Sequence, residues 1–193
     1  MMKYIVILLT FTLLVGCIDS NDKTLQSNRP IADDTENWDD IVEEKIKRFG
    51  HRNWIVVVDE AYPLQSSLGI TMLRSPLGQI ETLKKVMSIL NEQKHVKPII
   101  YLDKEIDYVN ENAAKGITAY RDSLMGIFDK SNLNKVMHDD IISMLSKTSD
   151  QFNVLVIKTN LNIPYTSVFF QLDCKYWNDV AEKQLRDKIS ESI

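Results

Sequence analysis

From Trp38 onward, runs of apolar residues at helical spacing alternate with short unbroken apolar runs. Trp38, Ile41, Val42, Ile46 and Phe49 fall on one helical face behind Asn37, a residue type favoured at the N-cap. Asp39 and Asp40 follow in the first turn, where the helix dipole favours negative charge. The next run, Trp54 to Val58 (WIVVV), is continuous and mostly β-branched, which predicts a strand buried on both faces. Leu77, Ile80, Leu83, Met87 and Leu90 share a face behind Pro76, predicting a helix from Pro76 to about Glu92. Pro98 to Leu102 reads as a strand and Ile117 to Phe128 as a helix. Asn134 to Met137 reads as a short strand delivering His138, after which Asp139 and Asp140 open a helix over Ile141 to Ser146. Two further strands, Phe152 to Lys158 (FNVLVIK) and Thr166 to Leu172 (TSVFFQL), precede an amphipathic helix over Trp177 to Ile189. Such alternation predicts an α/β sandwich with a central sheet covered on both faces. No internal repeat interrupts it.

The first residues change the picture. Lys3 is followed by an apolar run, Tyr4 to Val15, broken only by Thr10 and Thr12 and too short to span a bilayer. It ends in Leu14-Val15-Gly16-Cys17, a small residue before a cysteine, and so resembles a bacterial lipoprotein signal in which Cys17 is lipidated and residues 1–16 are removed. The plainer alternative is an ordinary signal peptide with an incidental cysteine. Residues 17–37 follow as a polar tether too poor in apolar residues to build a core. The expected location is the bacterial cell envelope, with membrane contact only through the lipid on Cys17. Residues 38–193 have the length of a single domain with a full core.

With Cys17 lipidated, Cys174 is the remaining thiol, so no intramolecular disulfide forms and stability must come from packing or assembly. The net charge of −4 becomes about −5 once the segment carrying Lys3 is removed, with both signs interspersed. Nothing in that balance points to nucleic acid. The chain has no Gly-rich phosphate loop, CxxC, HExxH or GxSxG. Its histidines lack local metal-ligand spacing, so no metal site is expected.

Of the three histidines, His95 falls near a predicted helix end, in a position suited to the exposed carbonyls there. His51 follows Gly50 at the entry to a buried strand, where it either caps the preceding helix or serves a site. His138 stands between a strand and a helix N-terminus, where the positive dipole end disfavours a charged imidazole and leaves a neutral ring able to accept a proton. Asp59 and Glu60 end the apolar strand, the place where open α/β sheets put ligand-binding groups, although a solvated loop would carry the same residues. In an extended chain residues 51 and 59 lie roughly 26 Å apart at about 3.3 Å per residue. Either the flanking loops curl back, or His51 of one protomer meets Asp59 of its neighbour.

The stretch GHRNWIVVVDEAYP, Gly50 to Pro63, resembles the signature of the D-ribose pyranase and L-fucose mutarotase family. Val136-Met137-His138-Asp139 resembles that family's second histidine and following acid, and Ile157 to Val168 (IKTNLNIPYTSV) its C-terminal strand, turn and Pro-Tyr strand. The resemblance implies a three-layer α/β/α sandwich with a central mixed sheet, assembled as a homo-oligomeric ring with active sites near subunit contacts. It implies a cofactor-independent sugar isomerase in which His51 is the proton donor, Asp59 and His138 bind the monosaccharide, and Tyr165 and Ser167 end the binding loop. Asn160-Leu161 replaces the family's usual Gly-Glu, Ser167 stands where ribose-type members often have Asn, and Ile142 stands where a basic residue is expected one turn after the second histidine. These departures bear on which sugar is bound, and on whether the chain is instead a non-catalytic sugar-binding lipoprotein or an assembly module with a decayed site.

Overall fold

The computed structural model describes residues 37–192. The expected signal segment, residues 1–16, the expected lipidation position Cys17 and residues 17–36 of the expected tether lie outside the described residues. No helix among the described residues is long and apolar enough to cross a membrane.

The strands are β1 (Trp54–Val58), β2 (Ile70–Arg74), β3 (Val96–Asp103), β4 (Leu133–Val136), β5 (Val154–Lys158) and β6 (Val168–Cys174). The helices are α1 (Trp38–Arg48), α2 (Gln79–Glu92), α3 (Ile117–Met125), α4 (His138–Ser149) and α5 (Asp179–Glu191). The six strands form one mixed sheet in the order β2-β5-β1-β6-β3-β4. All pairings are parallel except those of β6, which runs antiparallel to both β1 and β3.

Alternation along β1 explains how the layers close. Ile55 and Val57 point to the face covered by Val42 and Ile46 of α1, Leu83 and Leu90 of α2, and Ile117 and Leu124 of α3. Trp54, Val56 and Val58 point to the other face, where Ile141 and Leu145 of α4 cover them. All five β1 residues are buried, as its unbroken apolar run requires. The result is the expected α/β/α sandwich, with one side more heavily covered than the other. On the α4 side Trp54 stacks on Tyr101 with ring centroids 5.5 Å apart. Each such side chain withdrawn from water contributes about 1.5–3 kcal/mol.

Several local expectations are corrected. α2 starts at Gln79, not Pro76, because the Ser75 hydroxyl takes the Leu77 N–H in a local turn and Gly78 is extended at ψ 163°. β2 is a strand where none was expected. It is an edge strand, largely half-buried, and its approach to α4 depends on Gly69, where a Cβ would lie 2.2 Å from the Ser149 carbonyl oxygen. α3 stops at Met125, short of Phe128, and α4 extends to both sides of its expected span, from His138 to Ser149. Asn37 makes no side-chain cap bond to α1, whereas Asn178, beyond Trp177, accepts from the Ala181 N–H and starts α5 at Asp179. α5 buries no residue.

Candidate functional site

Because β6 runs against its neighbours, its first residues share an edge of the sheet with the last residues of β1, β3, β4 and β5. A cavity of about 480 Å³ opens at that edge, within the ~300–1,000 Å³ of small-molecule sites. Its polar lining is Asp59, Gln65, Asp103, His138, Asn162 and Ser167. Its apolar walls are Tyr62, Pro63, Ile142, Ile163, Pro164 and Tyr165. Neither lysine nor arginine lines it.

Asp59 leaves the end of β1 and folds the chain back on itself: its Oδ1 accepts from the Ala61 N–H at 2.8 Å, the turn chemistry that aspartate favours. Tyr62 is thereby carried over the sheet edge, its carbonyl held by the Lys158 ammonium at 2.9 Å. Burial, with the Asp103 and Asp59 charges adding to it, pushes the Tyr62 phenol above its ordinary range.

Segment 159–167 passes from β5 to β6 over the end of β1, which lies between them. A buried polar network ties it down. Thr159 N–H donates to the Val58 carbonyl at 2.9 Å and its hydroxyl to Gln79 Oε1 at 2.6 Å, while the Tyr120 hydroxyl donates to the Thr166 carbonyl at 2.7 Å. At the end of this segment Tyr165 adopts φ 58°, a left-handed conformation that side-chain-bearing residues seldom take, and Ser167 is buried against the cavity. Among the described residues only Arg52 and Tyr165 are non-glycine residues with positive φ, so Asn160 does not supply a glycine-like turn. Leu161 packs with the core on the α1–α3 side and gives its carbonyl to the Glu60 N–H at 2.9 Å.

His138 opens α4 and faces Tyr165 edge-on, ring centroids 5.6 Å apart at 83°. Both Glu105 carboxylate oxygens accept from its backbone N–H at 3.1 Å, supplying negative charge where the helix end is positive. Its Nδ1 lies 3.0 Å from Asp103 Oδ1. Asp103 ends β3, and the parallel register pairing it with Val136 of β4 sets it beside the first turn of α4. Asp103 is fully buried, and its Oδ2 has no hydrogen-bond partner. Burial pushes its carboxyl up to about 6, against the lowering effect of His138.

Asp59, His138, Tyr165 and Ser167, nominated from separate stretches of sequence, therefore line one cavity. His51 does not join them within its own subunit. It is exposed in a turn beyond the opposite end of β1, where the Arg52 N–H donates to Leu172 at the far end of β6. The five residues of β1, roughly 16 Å at ~3.3 Å each, stand between the turn that carries His51 and Asp59 at the other end of the strand. His95 is structural: its Nε2 meets the Phe49 carbonyl at 2.9 Å, tying the end of α1 to the start of β3. Asp103 was not nominated by the sequence reading, although IYLD repeats the pattern of VVVD, an apolar run closed by an aspartate. Among the described residues no group of acidic, histidine and cysteine side chains has a metal-binding arrangement.

No family model matches the chain, and no curated protein does. Among solved structures it is similar to Bacillus subtilis RbsD complexed with D-ribose, at 16% identity and a TM-score of 0.47, over 76% of this chain and 96% of that one. The fucose mutarotase from Streptococcus pneumoniae in complex with L-fucose is 15% identical at a TM-score of 0.47, over 66% of this chain and 87% of the other. FucU from Bifidobacterium longum is 14% identical at a TM-score of 0.44, over 68% and 92% respectively.

Proposed function

We propose that this protein is a cofactor-independent monosaccharide isomerase of the mutarotase or pyranase kind, exchanging the anomers or ring forms of an aldose. The observation that carries the reading is the convergence of Asp59, His138, Tyr165 and Ser167 on one cavity of small-molecule size. A ligand rich in hydroxyls suits these groups: carboxylate and imidazole take and give hydrogen bonds on one side, and the Tyr165 ring offers a stacking face on the other. Two carboxylates without a lining cation favour a neutral sugar over a phosphorylated one.

Ring opening moves a proton off the anomeric hydroxyl and onto the ring oxygen; closure reverses this on the other face or through another hydroxyl. General acid–base help from a histidine is worth about 10² to 10⁴ in rate. His51 is assigned the proton to the ring oxygen, and because β1 separates it from the cavity of its own subunit, a neighbouring copy in a ring supplies it. In the envelope, on a lipid anchor at Cys17, such an enzyme would meet an extracytoplasmic sugar pool.

Magnetisation-transfer NMR of ribose, fucose, galactose and glucose tests the reading, with the native chain and His51→Ala compared. Exchange above the buffer rate that is lost in the variant supports it. No acceleration by folded, assembled protein transfers the case to a non-catalytic sugar-binding lipoprotein. That second reading is favoured by Leu161, which is rooted in the core where a carboxylate would be expected in this turn.

A further inference from the structure

We propose that Asp103 is the positioning residue of a proton-transfer pair: it accepts a hydrogen bond from the Nδ1–H of His138, so that Nε2 is presented to the ligand as a base rather than as a passive hydroxyl holder. The inference rests on the sugar-isomerase reading for its substrate and on geometry for the rest.

Four features support it. The Nδ1···Oδ1 separation of 3.0 Å is that of a hydrogen bond, and no described residue takes up Nε2. The last pairing of β3 with β4 fixes the Asp103 backbone beside the first turn of α4. Glu105 pins the His138 backbone from the other side. Most telling is Asp103 Oδ2, which is buried and unpartnered. Among the described residues the His138 imidazole is this carboxyl's one hydrogen-bonding partner, so the two groups share a proton balance.

The charged and titratable groups around the pair are Asp59 from β1, Glu105 from the turn after β3, Asp139 and Asp140 in the first turn of α4, and the phenols Tyr62 and Tyr165. The negative charges of Glu105 and Asp59 favour retention of a proton by the pair. A pair that loads and releases a proton close to neutral pH serves both directions of a reversible isomerisation. In the forward step Nε2 accepts the anomeric O–H proton, the oxygen's electrons form the C1=O bond, the C1–O5 bond breaks, and the ring oxygen takes a proton from the acid assigned to His51. Closure returns both protons.

Histidine ¹⁵N NMR of the full chain gives the first test, with His138 signals assigned by their loss in His138→Gln. The expected neutral tautomer is Nδ1–H. A dominant Nε2–H tautomer would overturn the proposal without bearing on whether sugars bind. The second test is the pH profile of anomer exchange. The native rate should rise through about pH 6, where the buried carboxyl gives up its proton, and then level off. Asp103→Asn, nearly isosteric, should lower kcat by roughly 10²-fold or more, leave KM little changed and move that limb. An unchanged kcat and profile would refute the catalytic role. If the native protein exchanges no sugar, the isomerase reading and the catalytic half of this proposal fall together, while the tautomer still decides the pairing.

Discussion

Asp103 and Asp59 are the same residue type at the same kind of place, yet their surroundings set them apart. Asp59 spends one oxygen on a turn N–H and stays half-buried, whereas Asp103 is sealed beneath the cavity with only an imidazole for company. An acid raised from 3.8 to about 6 on folding binds protons more tightly in the native than in the unfolded chain. Its contribution to stability is therefore fully present below about pH 4 and is lost as pH rises through about 6, to the extent of roughly 3 kcal/mol. Asp103→Asn should remove that loss: in urea unfolding the variant gains on the native protein between pH 4.5 and pH 7.5. No relative gain would mean the carboxyl is solvated or already ionised at low pH. Asp59, His138, Tyr165 and Ser167 are legible in the sequence because each sits in a recognisable local stretch. Asp103 is not, because its meaning depends on a partner 35 positions away, brought close only by the pairing of β3 with β4.

At the scale of elements, legibility followed burial. β1, β5 and the first half of β6 lie in the middle of the sheet, so both of their faces had to be apolar and the runs stood out. β2 lies at the edge with most of its side chains half-exposed, and ITMLR carries too weak an alternation to be seen. The start of α2 was obscured for a different reason, since Ser75 and Gly78 win a local contest that the helical spacing of Leu77 does not reveal. The N-terminus of α4 has a further property: its cap comes from Glu105, remote in sequence. Glu105→Ala should cost about 1 kcal/mol in equilibrium unfolding, in the range of lost helix caps. The same variant should loosen His138, seen as broadening of its ring signals. Unaltered stability and an unaltered ring would show that solvent caps the helix equally well.

For the whole molecule, the distance between His51 and the cavity bears on the proposed mechanism. β1 stands between His51 and the cavity of its own subunit, and the proposed mechanism therefore takes the acid from a neighbouring copy. Mixing offers a direct check. His51→Ala and Asp59→Ala proteins, each inactive alone, should regain anomer exchange when unfolded together and reassembled, because some cavities then receive an intact residue from each. Absence of any recovery in correctly assembled mixtures would mean that His51 and Asp59 must both be intact in the same subunit, and would overturn the supply of His51 by a neighbour.

The span from Thr159 to Ser167 crosses only the width of β1, about 10 Å for two strand spacings. Leu161 and Ile163 are its footings in the core, Ile163 reaching the cavity wall as well, and Asn162, Pro164 and Tyr165 are its free side toward the cavity. Folding and recognition are thus written in alternating letters of one short word. A lineage carrying this scaffold can exchange the free letters to suit a different ligand while the footings, and with them the order of the strands, stay as they are.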